Sequence, residues 1–278
     1  MPVEITPFVK KYTPWSASKS DIAEQCPLKF KHTYVHKTQK GRPKTEALVG
    51  IALHRILELS LAGKPLEDAR KQAVSDPKAR LLTVEREQVD AGIPAVSTFL
   101  RRTTAFIEKM GGADLLIEGR LASSFAGKTL KFFDNKGFFR GVLDLGILFK
   151  NRPHMMVIDH KTGKNRGINY YNWQFLTYTL LAKVNYPHIT HVVPAIHWVQ
   201  DTITEIGNPI KVPSVPDLLD KVVEHLNQAT GNAAINLDVG QPSKLCGWCD
   251  YQILCPLSPQ VIGAAENECE SDKGSKYC

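Results

Sequence analysis

The sequence predicts an α/β protein: a mixed central β-sheet flanked by helices, with a mainly helical N-terminal part and a cysteine-bearing C-terminal segment. Three observations carry this reading. Apolar residues recur at helical spacing up to about residue 110. Near Leu115 the pattern changes to strand-like runs, among them the continuous apolar stretch Met155-Met156-Val157-Ile158, which reads as a buried central strand. The segment around Cys246, Cys249 and Cys255, with its Gly, Trp and Pro, suits neither element.

The elements follow in order. Ser16-Ala17-Ser18-Lys19-Ser20-Asp21 offers capping side chains ahead of Ile22, Ala23, Cys26 and Phe30, so a helix starts near Ser18. After the polar stretch 36–45, Leu48, Ile51, Ala52, Ile56 and Leu59 define a helix over 46–62, stopped by Gly63 and Pro65. Residues 66–110 read as further helices punctuated by Pro77 and Pro94. Strands are expected at 116–125, 129–133 and 138–149, with Asp134-Asn135-Lys136-Gly137 as the hairpin turn. A helix over 168–184, a strand over 190–199 and a helix over 217–229 complete the pattern. Beyond Pro259 the composition turns polar, and a frayed tail is expected.

At 278 residues and 43% hydrophobic content the chain can bury a large core. It has no apolar run of the roughly 18 residues a membrane span needs and no signal-peptide pattern at its start. A soluble, cytoplasmic protein is expected, in which six cysteines are more naturally metal ligands than disulfides. Net charge is +7, and residues 1–45 hold nine basic side chains against three acidic ones. Lys29 and Lys31 belong to this stretch, with Tyr12, Trp15, Phe30 and Tyr34 interleaved. Such groups would neutralise phosphates and stack on bases, which makes DNA a candidate partner; a solvated basic face is the alternative.

Cys246-x-x-Cys249 puts two sulfurs on one tight turn, the usual bite of a metal or cluster site. Cys255 is a third ligand within reach, and Cys26, some 220 residues earlier, is the natural fourth. An iron–sulfur cluster ranks first and tetrahedral zinc second, ahead of a redox dithiol or buried thiols. Cys269 and Cys278, in the polar tail, read as free thiols.

A second constellation is acidic. Gly141-Val142-Leu143-Asp144 sets a carboxylate on one strand, and Asp159-His160-Lys161-Thr162-Gly163 ends the next. Asp159 and Lys161, two apart, project from one face. Antiparallel strands would bring Asp144 and Asp159 to one hard cation such as magnesium, with the Lys161 ammonium beside the attacking water. The alternative is a structural Asp–Lys pair. His54, in Gly50-x-x-x-His54 on an otherwise apolar helix face, is either a core histidine or a third, neutral ligand. Gln174 and Tyr178 share a helix face at i,i+4, where amide and phenol suit a phosphate or base.

In this order, Cys26, Gly50-x-x-x-His54, Gly141-x-x-Asp144, Asp159-His160-Lys161-Thr162-Gly163, Gln174-x-x-x-Tyr178 and the cysteine trio resemble the RecB-like branch of the PD-(D/E)XK nucleases. More closely, they resemble its members with an iron–sulfur staple, the AddB nuclease domain and the CRISPR-associated single-domain exonucleases. The opening Glu24-Gln25-Cys26-Pro27-Leu28-Lys29-Phe30 fits the same pattern. The resemblance implies a restriction-endonuclease-like core and one nuclease domain over 1–257: a helical part at 15–115, the catalytic sheet and helix at 116–200, and the cluster segment at 201–257. Residues 258–278 would be the tail.

It implies magnesium or manganese held by His54, Asp144, Asp159 and the His160 main-chain carbonyl. Lys161 would be the catalytic lysine, Gln174 and Tyr178 would face DNA, and the four cysteines would hold a 4Fe–4S cluster. Glu58 and Glu118 are assigned no ligand position. The implied activity is a DNA exonuclease on single strands or duplex ends, in phage or prokaryotic recombination. No Gly-x-x-x-x-Gly-Lys-Ser/Thr motif is present, so a helicase, like any recombination or annealing partner, would be a separate chain. Two rivals remain: a non-catalytic DNA-binding module, which has no need of Asp144, Asp159 and Lys161 together, and an iron–sulfur redox protein.

Overall fold

Helices come first, as the periodicity implies. A computed structural model describes residues 3–76 and 81–258. Its opening elements are α1 (Pro7–Lys11), α2 (Ala17–Gln25), α3 (Pro27–Phe30), a π turn (Lys31–Val35), α4 (Thr45–Leu61), α5 (Leu66–Val74) and α6 (Thr83–Lys109). Pro94 does not punctuate: α6 runs through it. A proline removes one backbone bond from a helix, but here Val89, Ala95, Val96 and Phe99 bury the flanking turns and hold them. Pro77, the tail beyond Pro259, and Cys269 and Cys278 lie outside the described residues.

Six strands follow among the described residues: β1 (Ala113–Ser124), β2 (Gly137–Phe149), β3 (His154–Lys161), β4 (His191–Trp198), β5 (Ile203–Ile206) and β6 (Ile210–Lys211). The sheet order is β1-β2-β3-β4-β5, with β6 also on β4. β1–β2 and β2–β3 are antiparallel. β3 and β4 are parallel, joined by α7 (Asn172–Asn185), the crossover that parallel strands need. The sheet is therefore mixed, and the expected α/β class stands. α8 (Val215–Ala229) and α9 (Gly231–Ile235) close the helical complement. No helix among the described residues is long and apolar enough to cross a membrane.

The expected strand over 129–133 does not form. Thr129 bridges to Ser123 and Leu130 N–H donates to the Ala122 carbonyl, after which the backbone goes into turns, with Asp134 donating to Lys131 and Gly137 to Asp134. Gly127 takes φ +68°, a left-handed conformation that glycine adopts at little cost. The Asp134–Gly137 turn thus exists, but only as the last step of a longer β1–β2 connection.

The contacts among the described residues divide into two compact units, one of 3, 13–17, 44–76 and 81–223, the other of 4–12, 18–43 and 224–258. In the first, Leu53, Ile56 and Leu57 of α4 and Phe99 of α6 share a core with Leu145, Ile147, Met156, Ile158 and Ala195 of the sheet. Each of these side chains except Ala195 contributes about 1.5–3 kcal/mol on burial, so the strands that carry the acidic residues rest on a firm base. In the second, Phe8, Tyr12, Phe30 and Tyr34 form a ring cluster with neighbouring centroids 4.7 to 5.7 Å apart. Phe30 is fully buried, as is Trp15. These two rings serve packing and are not free to stack on bases, contrary to the sequence expectation.

Candidate active site

The β2–β3 ladder ends at Leu145↔Ile158, and the next residue on each strand is an acid, Asp144 and Asp159. Beyond this point the strands part, and the gap is where the polar side chains gather. The backbone N–H of His160 donates to Asp144 Oδ2 at 2.7 Å, which fixes one carboxylate against the end of the neighbouring strand.

Helix α4 supplies His54, whose Nδ1 lies 3.6 Å from Asp144 Oδ2. The close approach depends on Gly50: a Cβ there would stand 2.6 Å from Thr162 Oγ1, a clash the surroundings would have to relieve. Gly50-x-x-x-His54 is therefore a spacing device. A residue without a side chain lets the helix down onto the end of β3, and a histidine one turn later reaches the gap.

Glu118 of β1 completes the group. It sits between the pairs Ile117↔Leu145 and Gly119↔Leu143, opposite Asp144, with φ +46°. Ligand atoms of His54, Glu118 and Asp144 all lie within 4.8 Å of one another, close enough to hold a metal ion. Motif spacing assigns Glu118 no ligand position. Its signal is an acid within an apolar strand, made decisive only by the register that sets it across from Asp144.

The acids feel their burial and each other. Burial, the charge of Asp144 and that of Glu58 raise the Glu118 carboxyl to about 7, against the pull of Arg120 and Arg55. Burial and the Asp159 charge raise Asp144 to about 6, while His54, the His160 N–H and Lys161 oppose the shift. Crowded, partly buried carboxylates of this kind favour a divalent cation, whose charge removes their repulsion. Two carboxylates with a third close by give the oxygen donors that hard divalent cations take, and the imidazole adds one nitrogen donor.

Asp159 is engaged differently. Its Oδ2 pairs with Lys161 Nζ at 2.5 Å, and its Oδ1 accepts from Gln174 Nε2 at 2.6 Å and from Tyr178 Oη at 3.3 Å. Gln174 also donates to Tyr178 Oη at 2.7 Å, and its Oε1 lies 3.4 Å from Lys161 Nζ. Tyr178 is only 6% exposed, so what its hydroxyl meets is the carboxylate. Lys161 is held further by the Tyr171 ring, 4.8 Å from its Nζ. Burial alone would lower the Lys161 pKa, but the charge and hydrogen bond of Asp159, with Asp144 behind, raise it overall. Its ammonium stays charged.

His160 and His197 share an Nδ1–Nδ1 hydrogen bond of 3.0 Å in the core, with the Phe99 ring stacked on His197 at 4.1 Å. Burial, then His197, then His54 hold the His160 pKa well below its usual value, so the imidazole is a neutral packing group. At this residue it is the main chain that meets the acidic gap.

The four cysteines belong to the second unit, where Cys26, Cys246, Cys249 and Cys255 line one cavity of about 420 Å³. None forms a disulfide. The main chain at 241 and 243 turns its amides to sulfur: Gln241 N–H donates to Cys26 Sγ at 3.4 Å and Ser243 N–H to Cys246 Sγ at 3.2 Å. Lys29 lines the same cavity, and Lys31 is ion-paired with Asp238.

No curated protein matches this chain. A solved structure titled "Crystal structure of SSO0001" aligns over 83% of this chain and 95% of that one, at 16% identity and a TM-score of 0.34, a likeness too slight to build on. The profile of the PD-(D/E)XK nuclease superfamily, whose members cut nucleic acid with divalent metals, matches residues 14–256. That span takes in both strand-end acids, the lysine two residues beyond the second of them, and all four cysteines of the cavity, and this chain belongs to the PD-(D/E)XK nuclease superfamily.

Proposed function

We propose that the protein is a magnesium- or manganese-dependent DNA exonuclease of the RecB-like branch, carrying a 4Fe–4S cluster as a structural staple. It would act as one nuclease domain on single strands or duplex ends, in the cytoplasm of a prokaryotic or phage-infected cell. Recombination and DNA processing, beside a separate annealing or helicase partner, is the setting such a chain suits. The observation that carries the reading is the gathering of His54, Glu118 and Asp144 beside an Asp159–Lys161 pair. A DNA-binding module has no use for three clustered acids and a charged lysine around one gap.

His54, Asp144 and Asp159, joined by Glu118 and the His160 main-chain carbonyl, would hold the cation, which when bound stabilises negative charge on the phosphate. Lys161 keeps its proton and presents its ammonium to the attacking water and the phosphate oxygens, where charge grows in the transition state. Gln174 and Tyr178 act on the substrate through Asp159, which they orient; Tyr171 steadies Lys161. Lys29 adds phosphate-binding charge, and Lys31 does so only beyond its pairing with Asp238.

The staple rests on a separate set of observations. Four thiols line one cavity, and backbone amides point at two of the sulfurs, an arrangement that stabilises thiolates bound to a cluster.

The test is incubation of purified protein with end-labelled single-stranded and duplex DNA, with magnesium, with manganese and with chelator. Metal-dependent shortening from an end is expected. Uncut DNA under all three conditions, with binding intact, would leave only a binding module.

A further inference from the structure

The β1–β2 connection, residues 125–136, carries rings that the core does not take up. Phe133 is 76% exposed and Phe125 half exposed. Phe132 meets Phe133 edge to face at 5.1 Å, and two guanidinium groups stand over it, Arg140 at 5.4 Å and Arg120 at 5.9 Å from the ring centre. Residues 120–140 hold five basic side chains, Arg120, Lys128, Lys131, Lys136 and Arg140, against the single acid Asp134. Lys128, Lys131 and Lys136 are exposed. Isolated exposed phenylalanines need no account, but two adjacent rings on tight turns, bracketed by arginines and lysines, do.

We infer that this connection is a stacking platform for unpaired DNA bases, with Phe132 and Phe133 as its surface and the flanking cations as its phosphate contacts; the inference rests on the nuclease reading for its substrate. Rings interleaved with cations match a single strand, which offers base faces and phosphates together. A closed duplex keeps its base faces covered, so the platform selects frayed ends and single strands. Its place in the fold supports this. The two strands that hold the connection also hold Glu118 and Asp144, and Arg140 precedes Asp144 by four residues on β2, about 13 Å along a strand. A single strand with its scissile bond at Asp144 could thus run along β2 and present bases a few nucleotides away to Phe132.

The experiment measures binding in chelator, where no cleavage occurs, of a single-stranded 20-mer carrying 2-aminopurine and of a blunt 20-base-pair duplex. The double variant Phe132→Ala/Phe133→Ala is expected to weaken single-strand binding about tenfold and to abolish the aminopurine quenching. Its duplex affinity and salt dependence should be unchanged. Lys128→Ala/Lys131→Ala should instead flatten the salt dependence. If the double variant does not fold, Phe133→Ala alone serves, since that ring is mostly in solvent, with Phe133→Tyr as the restoring control. Single-strand affinity within about twofold of wild type, or equal losses for duplex and single strand, would overturn the platform. Absent cleavage with a normal single-strand loss would instead sink the catalytic reading and leave the platform standing.

Discussion

The acidic gap and the thiol cavity reach their form by different routes. Around the gap, the polar side chains are already in contact: Asp144 with the His160 N–H, Asp159 with Lys161, Gln174 and Tyr178. The strands that carry them are fixed by the apolar core shared with α4 and α6. The cavity is built otherwise. Cys246, Cys249 and Cys255 lie on or beside short 3-10 turns, Cys246 is exposed, and Cys26 joins α2 to α3. A site built on packed strands can tolerate the loss of a ligand and stay folded. Under the proposed staple, sulfurs carried on turns would depend on the inorganic group for their final arrangement.

The strongest way to break that contrast is at the cysteines. Tying Cys26 to the 246–255 segment closes a loop whose entropy corresponds to roughly 5 kcal/mol by analogy with disulfides, an upper value comparable to the stability of many domains. Cys26→Ala, Cys249→Ala or Cys255→Ala should therefore yield poorly soluble, protease-sensitive protein without the brown absorbance of an iron–sulfur cluster. Iron, sulfide and zinc analysis of anaerobically purified wild type decides the cofactor: about four irons and four sulfides per chain are expected. A single zinc with no iron would replace the cluster by a zinc staple, and neither metal together with a stable Cys26→Ala variant would refute the staple.

The acidic gap should behave in the opposite way. Asp144→Asn and Asp159→Asn keep shape but remove anionic ligands, and each should lower cleavage by about a hundredfold with folding and DNA affinity largely kept. Cleavage persisting in both would end the metal assignment. Lys161→Ala should lower kcat by about 10²–10³ with little change in KM or binding, because the ammonium acts mainly in the transition state. Equal losses in kcat and affinity would reduce it to a general phosphate contact.

Proton competition is the gentler probe. With Glu118 at about 7 and Asp144 at about 6, both carboxyls must lose protons before binding a cation. Manganese affinity should rise between about pH 5.5 and 7.5 and then level off, releasing up to two protons, countable by calorimetry in buffers of different ionisation enthalpy. Without metal the sign reverses. Both folded pKa values stand above the unfolded ones, so the stability these groups contribute is full below about 4 and lost as pH rises through roughly 6 to 7. A pH-independent affinity would mean that these carboxyls do not bind the cation.

Much of the fold is legible in the sequence because periodicity is a local signal. The helical spacing at 46–62 and the apolar run at 155–158 coincide with α4 and β3 to within a few residues. Besides Pro94, which α6 runs through, a misreading falls outside the core, in the connection at 129–133. There the β-branched Thr129 and the rings of Phe132 and Phe133 imitate a strand, but pairing with β1 stops after the Thr129 bridge and one Leu130 hydrogen bond.

The candidate site is legible where motif spacing reports geometry directly, as for Asp144, Asp159 and Lys161. It is illegible where partners come from register. Glu118 is placed only by the pairing that sets it opposite Asp144, and the engagement of Gln174 and Tyr178 with Asp159 only by the packing of α7 on the sheet. Trp15 and Phe30 show the converse, aromatic residues whose spacing suggests a surface role and whose burial denies it.

Glu118 holds φ +46°, a conformation glycine adopts with little penalty and other residues at some cost. Glu118→Gly should therefore raise the melting temperature of the metal-free protein while weakening its hold on manganese. The two properties are in conflict at this one residue. Selection for heat tolerance alone would discard the carboxylate; under the proposed function, the strained backbone is what sets it opposite Asp144.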